Sequence, residues 1–316
     1  MRNGTSTPQA CGFLILDKPT GLSSNAALQQ VKRIYGMRRG GYLGTLDPLA
    51  TGLLPIALGE ATRFLPYLLA QPKTYRVEAH LGIQTATGDR EGVVTGEARV
   101  PDWTFEDLAR STQTRIGESL QVPPMYSALK QGGTPLYALA RKGIEVARPA
   151  RRIVVDRITV LGWVPPRLTL EIDCGPGVYI RTWVEDWAKS QGTLAHVGSL
   201  RRLRVGLFEA QDMVTLEALD SLRLLQGTSE GREALLPPAQ ALRHYAAVTL
   251  EPGAVQRILQ GQAVPWTGER SEAARVRLHG AGGTFLGLGG WTASGALRAI
   301  RLLPGGTCAG PGQRLE

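Results

Sequence analysis

One carboxylate stands alone in a long uncharged stretch. Between Gly40 and Gly59 the only charged residue is Asp47, inside Gly41-Tyr42-Leu43-Gly44-Thr45-Leu46-Asp47-Pro48-Leu49-Ala50-Thr51-Gly52. A carboxylate taken out of water becomes a reactive nucleophile or base, provided a cation nearby keeps it ionised. Pro48 pushes Asp47 toward extended backbone, and the glycines allow another backbone or a substrate to approach closely. On residue type alone, the same aspartate also suits a turn or a cap. Other chemistries find no footing. The chain has no G-x-x-x-x-G-K-[ST], G-x-G-x-x-G, H-E-x-x-H or G-x-S-x-G, so nucleotide hydrolysis, hydride transfer and zinc hydrolysis lack support. Its four histidines are scattered, and Cys11, Cys174 and Cys308 lie far apart with no C-x-x-C. No metal site and no disulfide framework are expected.

The elements that must hold this loop can be read in outline. Residues 12–16 read as a strand and Asp17–Gly21 as a turn. Ser23-Ser24-Asn25 offers N-caps for a helix carrying Ala27, Val31 and Ile34 to about Gly36. Residues 36–63 read mainly as loop with short elements, 74–82 as a strand, 84–92 as a turn leading to another strand. A helix over 104–116 would place Phe105, Leu108 and Ile116 on one side. Alternating Leu168, Leu170, Ile172 and Cys174 mark a half-buried strand, and a helix follows from about Arg181. Segment 121–150 is different: punctuated by proline and glycine, charged by Lys130, Arg141, Lys142 and Arg148, with a short helix near Leu136–Ala140. It reads as a basic arm. Residues 199–208 are strand-like, 226–243 a linker. Short apolar runs between glycine turns in 245–316 suggest a small β-barrel-like module.

With 316 residues, two domains are expected. Lys and Arg outnumber Asp and Glu by 36 to 27, a net charge of +9. The excess is shared, +6 on 1–244 and +3 on 245–316. That favours a polyanion held across both parts. No window approaches the roughly 18 apolar residues of a membrane span, and no signal peptide is evident. A cytoplasmic, RNA- or DNA-facing protein with no membrane association is expected.

Several motifs together resemble a known family. Asp17-Lys18-Pro19-x-Gly21-x-Ser23-Ser24, the Gly44–Gly52 loop, Gly59-Glu60-Ala61-Thr62 and Lys73-x-Tyr75 are followed by Pro123-Pro124-x-Tyr126-Ser127-Ala128-Leu129-Lys130 and Gly143-Ile144-Glu145-Val146. Gly177-x-Tyr179-Ile180-Arg181-Thr182 and Ala195-His196-Val197-x-x-Leu200-Arg201-Arg202 complete the series. In this order they closely resemble the bacterial tRNA pseudouridine-55 synthase (TruB) family over most of residues 11–210. The resemblance implies an α/β fold of α+β type, with a pseudouridine-synthase catalytic domain over 1–243 built on a mixed, mainly antiparallel sheet. An RNA-binding insertion is expected at about 121–150, a small PUA-like β-rich domain at 244–305, and a disordered tail at 306–316. It implies isomerisation of uridine 55 in the tRNA T-loop to pseudouridine by base flipping. No cofactor or protein partner is needed, and the protein is expected to act as a monomer. The alternatives are a non-catalytic RNA-binding or tRNA-folding protein on the same scaffold, and an RNA-guided relative.

Residue by residue, the resemblance assigns the nucleophile to Asp47, the base-stacking tyrosine to Tyr75 and the active-site arginine to Arg181. A guanidinium beside Asp47 would keep it ionised. The start of a helix is otherwise a poor place for a cation. Leu200 matches an apolar wall of the uracil pocket, and Tyr179 lies in the Arg181 motif. Lys18, Arg63, Lys130, Arg141, Lys142 and Arg148 are candidate phosphate contacts. At Tyr42 the family usually has histidine, which fills the space vacated by the flipped base; an aromatic tyrosine can still stack there.

Overall fold

The computed structural model describes residues 10–223, 235–268 and 273–304. The expected tail at 306–316, and half of the expected linker (226–234), lie outside them. The chain opens with strand β1 (Gly12–Lys18), helix α1 (Ser24–Ile34), β2 (Gly40–Tyr42) and β3 (Thr51–Leu58), then a 3₁₀ stretch over Gly59–Tyr67. β4 (Lys73–Leu81), a small hairpin of β5 (Ile83–Thr85) and β6 (Val94–Glu97), α2 (Phe105–Gln113) and β7 (Gly117–Gln121) follow. Residues 122–150 hold β8 (Lys130–Gln131), β9 (Thr134–Pro135) and α3 (Leu136–Ala140). Next come β10 (Arg151–Val164), β11 (Arg167–Cys174), α4 (Ile180–Ser190), β12 (Ala195–Val205) and α5 (Leu216–Arg223). The last part carries α6 (Pro238–Ala241), β13 (Ala247–Thr249), α7 (Pro252–Leu259), β14 (Arg275–His279), β15 (Phe285–Trp291) and β16 (Leu297–Leu302).

One large sheet runs β1-β3-β12-β4-β11-β10-β7, with β2 also on β3. Only its β3–β12 pair is parallel; the rest is antiparallel, so the sheet is mixed and mainly antiparallel as expected. β4 lies at its centre. Tyr75, Val77, Ala79 and Leu81 alternate inward and face the buried Leu168, Leu170, Ile172 and Cys174 of β11. Helix α1 starts at Ser23, whose side chain accepts the Ala26 N–H, and Lys32 and Arg33 suit its C-terminal dipole. Helix α2 begins with a reciprocal Thr104–Asp107 capping box. Its expected apolar face is corrected: Leu108 is buried, but Phe105 and Ile116 are exposed. Helix α4 buries Ile180, Trp183, Val184, Trp187 and Ala188 on one stripe.

The stretch expected to be mainly loop with short elements contains a full buried strand, β3. Pro55 obscures it in sequence, because proline lacks the N–H that a central strand uses. The structure accommodates Pro55 where the second neighbour of β3 changes from β12, paired at Thr51–Gly52, to β2, paired at Ile56–Leu58. The Pro55 carbonyl accepts the Leu43 N–H on that side, so the missing donor falls at this break in the ladder.

The C-terminal part is a four-stranded sheet, β13-β14-β15-β16, with its own core of Val248, Ile258, Val276, Leu278 and Leu297. A second apolar cluster joins it to the rest. Phe13, Leu53, Phe64 and Phe208 pack with Phe285, Leu288 and Leu303, and the Phe64 and Phe285 rings lie 5.6 Å apart.

Candidate active site

The Asp47 loop is held by the segment just before α1. Ser24, buried at the helix start, donates from its hydroxyl to the Leu46 carbonyl at 2.9 Å and accepts the Leu46 N–H at 2.8 Å. The Gly21 N–H donates to the Pro48 carbonyl, and the Thr20 hydroxyl to that of Leu49. Lys18 is fully buried, and its ammonium donates to the carbonyls of Leu22, Pro19 and Pro48. Burial lowers it to about 8. Its expected role as an RNA phosphate contact is corrected on this ground: an enclosed ammonium bonded to three carbonyls braces the loop and does not meet a phosphate. Gly52 closes the loop at φ +94°, where a Cβ would lie 2.3 Å from the Arg202 carbonyl oxygen. Ser24→Ala leaves both polar groups of Leu46 unpaired. We expect a stability loss of about 1–3 kcal/mol, read by denaturant unfolding, together with slower turnover from a loosened loop.

Arg181, second residue of α4, is 5% exposed in its side chain and reaches Asp47 at 2.9 Å, Nε to Oδ2. Its other nitrogens donate to the carbonyls of Thr87 and Tyr126 at 2.5 and 2.7 Å. Asp89 lies 3.8 Å away, also buried. Two carboxylates thus flank one cation, which overrides the unfavourable helix dipole. Asp89 is itself fixed by the Thr87 hydroxyl and the Glu91 N–H. Burial raises the Asp47 carboxyl above its usual range; Arg181 and Lys18 oppose this and Asp89 adds to it. The start of α4 has no side-chain cap, but Gln121 at the end of β7 bonds both the N–H and the carbonyl of Tyr179.

Above Asp47 opens a cavity of about 420 Å³, lined by Tyr75, Ser127, Tyr179, Leu200 and Arg202 among others. Tyr75 is 7% exposed, and burial raises its phenol. A second cavity of about 530 Å³ meets the first at Asp47 and Arg181, with Tyr42, Tyr126, Tyr137 and Arg141 on its walls. The structure therefore gathers Asp47, Arg181, Tyr75, Tyr179 and Leu200 around one cavity and Tyr42 around the adjoining one. Lys130, Arg141 and Lys142 are exposed on the 122–150 segment, Arg141 lying over the Tyr137 ring at 5.6 Å. Arg148 pairs with Glu145 at 3.4 Å, and Arg63 pairs with Glu60.

Sequence reasoning missed Asp89 and Arg202. For Arg202 a signal existed: on a strand, residues 200 and 202 share a face, and Leu200 was already placed on the pocket wall. Nothing comparable marks Asp89. Among the described residues, no three His, Cys, Asp or Glu side chains form a metal-binding group, and no helix is long and apolar enough to cross a membrane.

Proteins described as tRNA pseudouridine synthase B are similar along almost the whole chain. The one from Xanthomonas axonopodis pv. citri (strain 306) is 43% identical over 294 residues, covering 93% of this chain and 94% of the relative. That from Yersinia pestis (strain Pestoides F) is 43% identical over 299 residues, 92% of each. The chain belongs to the TruB family. Residues 32–180 match the N-terminal domain of TruB family pseudouridylate synthases. Residues 181–243 match the tRNA pseudouridylate synthase B C-terminal domain, and 246–303 the pseudouridine synthase II TruB C-terminal region. Among solved structures, a chain of a Cbf5-Nop10-Gar1 complex is 26% identical with a TM-score of 0.71, covering 92% of this chain and 84% of that one. A chain of an H/ACA RNP bound to a substrate RNA containing 2'-deoxyuridine shares the fold, with a TM-score of 0.70 at 22% identity over 95% of this chain and 92% of that one. In this TruB-family protein the family's loop motif and the Arg181 motif meet at the 2.9 Å ion pair.

Proposed function

We propose that the protein isomerises uridine 55 in the T-loop of tRNA to pseudouridine, with Asp47 as nucleophile. The observation that carries this reading is the Asp47–Arg181 pair on the floor of a cavity walled by Tyr75 and Leu200. The reaction breaks the N1–C1′ bond, turns the base and forms C5–C1′. Attack at C1′, attack at C6 and a glycal-type route all require an ionised Asp47. The base must first leave the folded T-loop, at a cost of a few kcal/mol. Contacts to the RNA backbone offset that cost. The exposed Lys130, Arg141 and Lys142 are the candidates for such contacts, with Arg63 and Arg148 beside them. Tyr42 would fill the space left by the flipped base. The C-terminal sheet would serve as the PUA-like RNA-binding domain. In this reading the protein acts in the cytoplasm as a monomer, without a protein partner.

Tritium release from 5-labelled uridine in an unmodified tRNA transcript tests the proposal. Release with protein and transcript alone supports it. Binding without release under single-turnover conditions leaves an RNA-binding protein, and release only with a guide RNA leaves a guided enzyme. The charge distribution gives a further expectation. Lys142→Gln should weaken tRNA binding and lower the slope of log affinity against log salt by about 1. The single-turnover rate at saturating protein should stay unchanged. An unaltered slope removes Lys142 from the interface.

A further inference from the structure

We propose that Arg202 is a positioning residue for the reaction, its Nη1 group pairing with the Tyr75 oxygen while that tyrosine is a phenolate, its proton lent to the base. The inference rests on the reading above, in which Tyr75 faces the reacting base.

Arg202 and Tyr75 are direct partners in the β12–β4 ladder. Cross-strand partners project from the same face as near neighbours, and both line the cavity that holds Asp47. Arg202 is 0% exposed. Its Nε donates to the Leu53 carbonyl at 2.7 Å, and its Nη2 to those of Gly44 at 3.0 Å and Leu43 at 3.4 Å. The Nη1 group is buried and makes no hydrogen bond of ordinary geometry, while the Tyr75 phenol already feels the Arg202 side chain through both charge and hydrogen bonding. Three bonds to carbonyls from Nε and Nη2 fix the guanidinium beneath the Asp47 loop, and the third nitrogen, Nη1, is left unmatched. A buried charged donor without a partner is costly and calls for a ligand or a functional reason. The bonds Arg202 does make go to neutral carbonyls, so its charge is felt by neighbours. It helps to lower the ammonium of Lys73 and opposes the effect of burial on the Tyr75 phenol.

The reaction gives this charge a use. Isomerisation is neutral in protons: the base loses one at C5 and gains one at N1. Tyr75 can close that cycle. Its phenol gives a proton to N1 of the detached base. Once the C5–C1′ bond has formed, the phenolate takes the C5 proton, and the C5–H electron pair restores the ring double bond. In the interval the tyrosine carries a negative charge in a closed cavity, and Nη1 of Arg202 is the cation placed to receive it.

The test is a double-mutant cycle on single-turnover pseudouridine formation in tRNA. Arg202→Lys keeps the charge but loses the planar fork. It should slow the reaction about tenfold in the parent and less than about twofold in the Tyr75→Phe background. Equal losses in both backgrounds overturn the proposal and place Nη1 on the base or in the scaffold. Because Arg202 also braces the loop, Arg202→Gln is run alongside, and thermal unfolding identifies which variant retains a cooperative fold. Should neither fold, arginine-labelled protein carries the test. One Nη resonance must shift on Tyr75→Phe, and an unchanged spectrum overturns the pairing. A parent protein that forms no pseudouridine at all sinks the proposed function instead, a result distinguishable from these.

Discussion

Asp47→Asn is expected to cut single-turnover pseudouridine formation by about 10⁴-fold or more, with tRNA bound within a small factor of the parent. The amide keeps the shape of the side chain but has neither the charge nor the nucleophilicity of the carboxylate. RNA grip is distributed over exposed cations elsewhere, so affinity is spared. Filter binding and rapid-quench tritium release separate the two. The substitution also has a signature in stability. The Asp47 carboxyl is raised in the folded protein, so the folded state holds this proton more tightly than the unfolded chain does. Its contribution is favourable at low pH and is lost as pH rises through the raised value. Asp47→Asn removes that dependence. Its stability relative to the parent should therefore increase with pH above the ordinary carboxylate range and then level off, as followed by urea unfolding across pH. A relative stability that instead falls with rising pH contradicts this placement of the charge.

Arg181→Gln is the second large effect. It removes the cation between Asp47 and Asp89 and the donors to Thr87 and Tyr126. Breaking a buried pair on one side leaves uncompensated charge, a cost of about 3–5 kcal/mol. The remaining carboxylates repel, so the Asp47 carboxyl rises further and the ionised fraction at a given pH falls. The acidic limb of the rate–pH profile should accordingly move to higher pH, with part of the lost rate regained in alkaline buffer. Arg181→Lys retains a charge and loses the fork. It should leave the limb nearly in place and lower the rate. An acid limb that stays put in Arg181→Gln would mean that this limb reports a group other than Asp47.

How much of this was readable beforehand differs from residue to residue. Asp47, Tyr75 and Arg181 were legible because they sit in ordered motifs, and the alternation at Leu168–Cys174 announced its strand directly. The strand at Thr51–Leu58 was hidden because one proline and its glycines outweigh its apolar run in any local reading. Only the change of neighbours at Pro55 explains why proline is tolerated. Lys18 was misplaced for a different reason. A lysine beside an active-site motif reads as a surface cation, and its burial is set by the fold of Pro48 over it, a contact 30 residues away in sequence. Asp89 and Arg202 act through partners distant along the chain, and spacing alone carries no trace of Asp89.

The Phe64–Phe285 contact bears on how this protein can be divided. The apolar face of β1 and β3 is closed by Phe285, Leu288 and Leu303, so the C-terminal sheet is a wall of the catalytic unit as well as an appendage to it. A truncation before 245 would bare that face to water. Such a fragment would report insolubility before it reported anything about RNA. The same reasoning sets a rule for chimeras: a foreign C-terminal module can be grafted here only if it brings its own plug for Phe64.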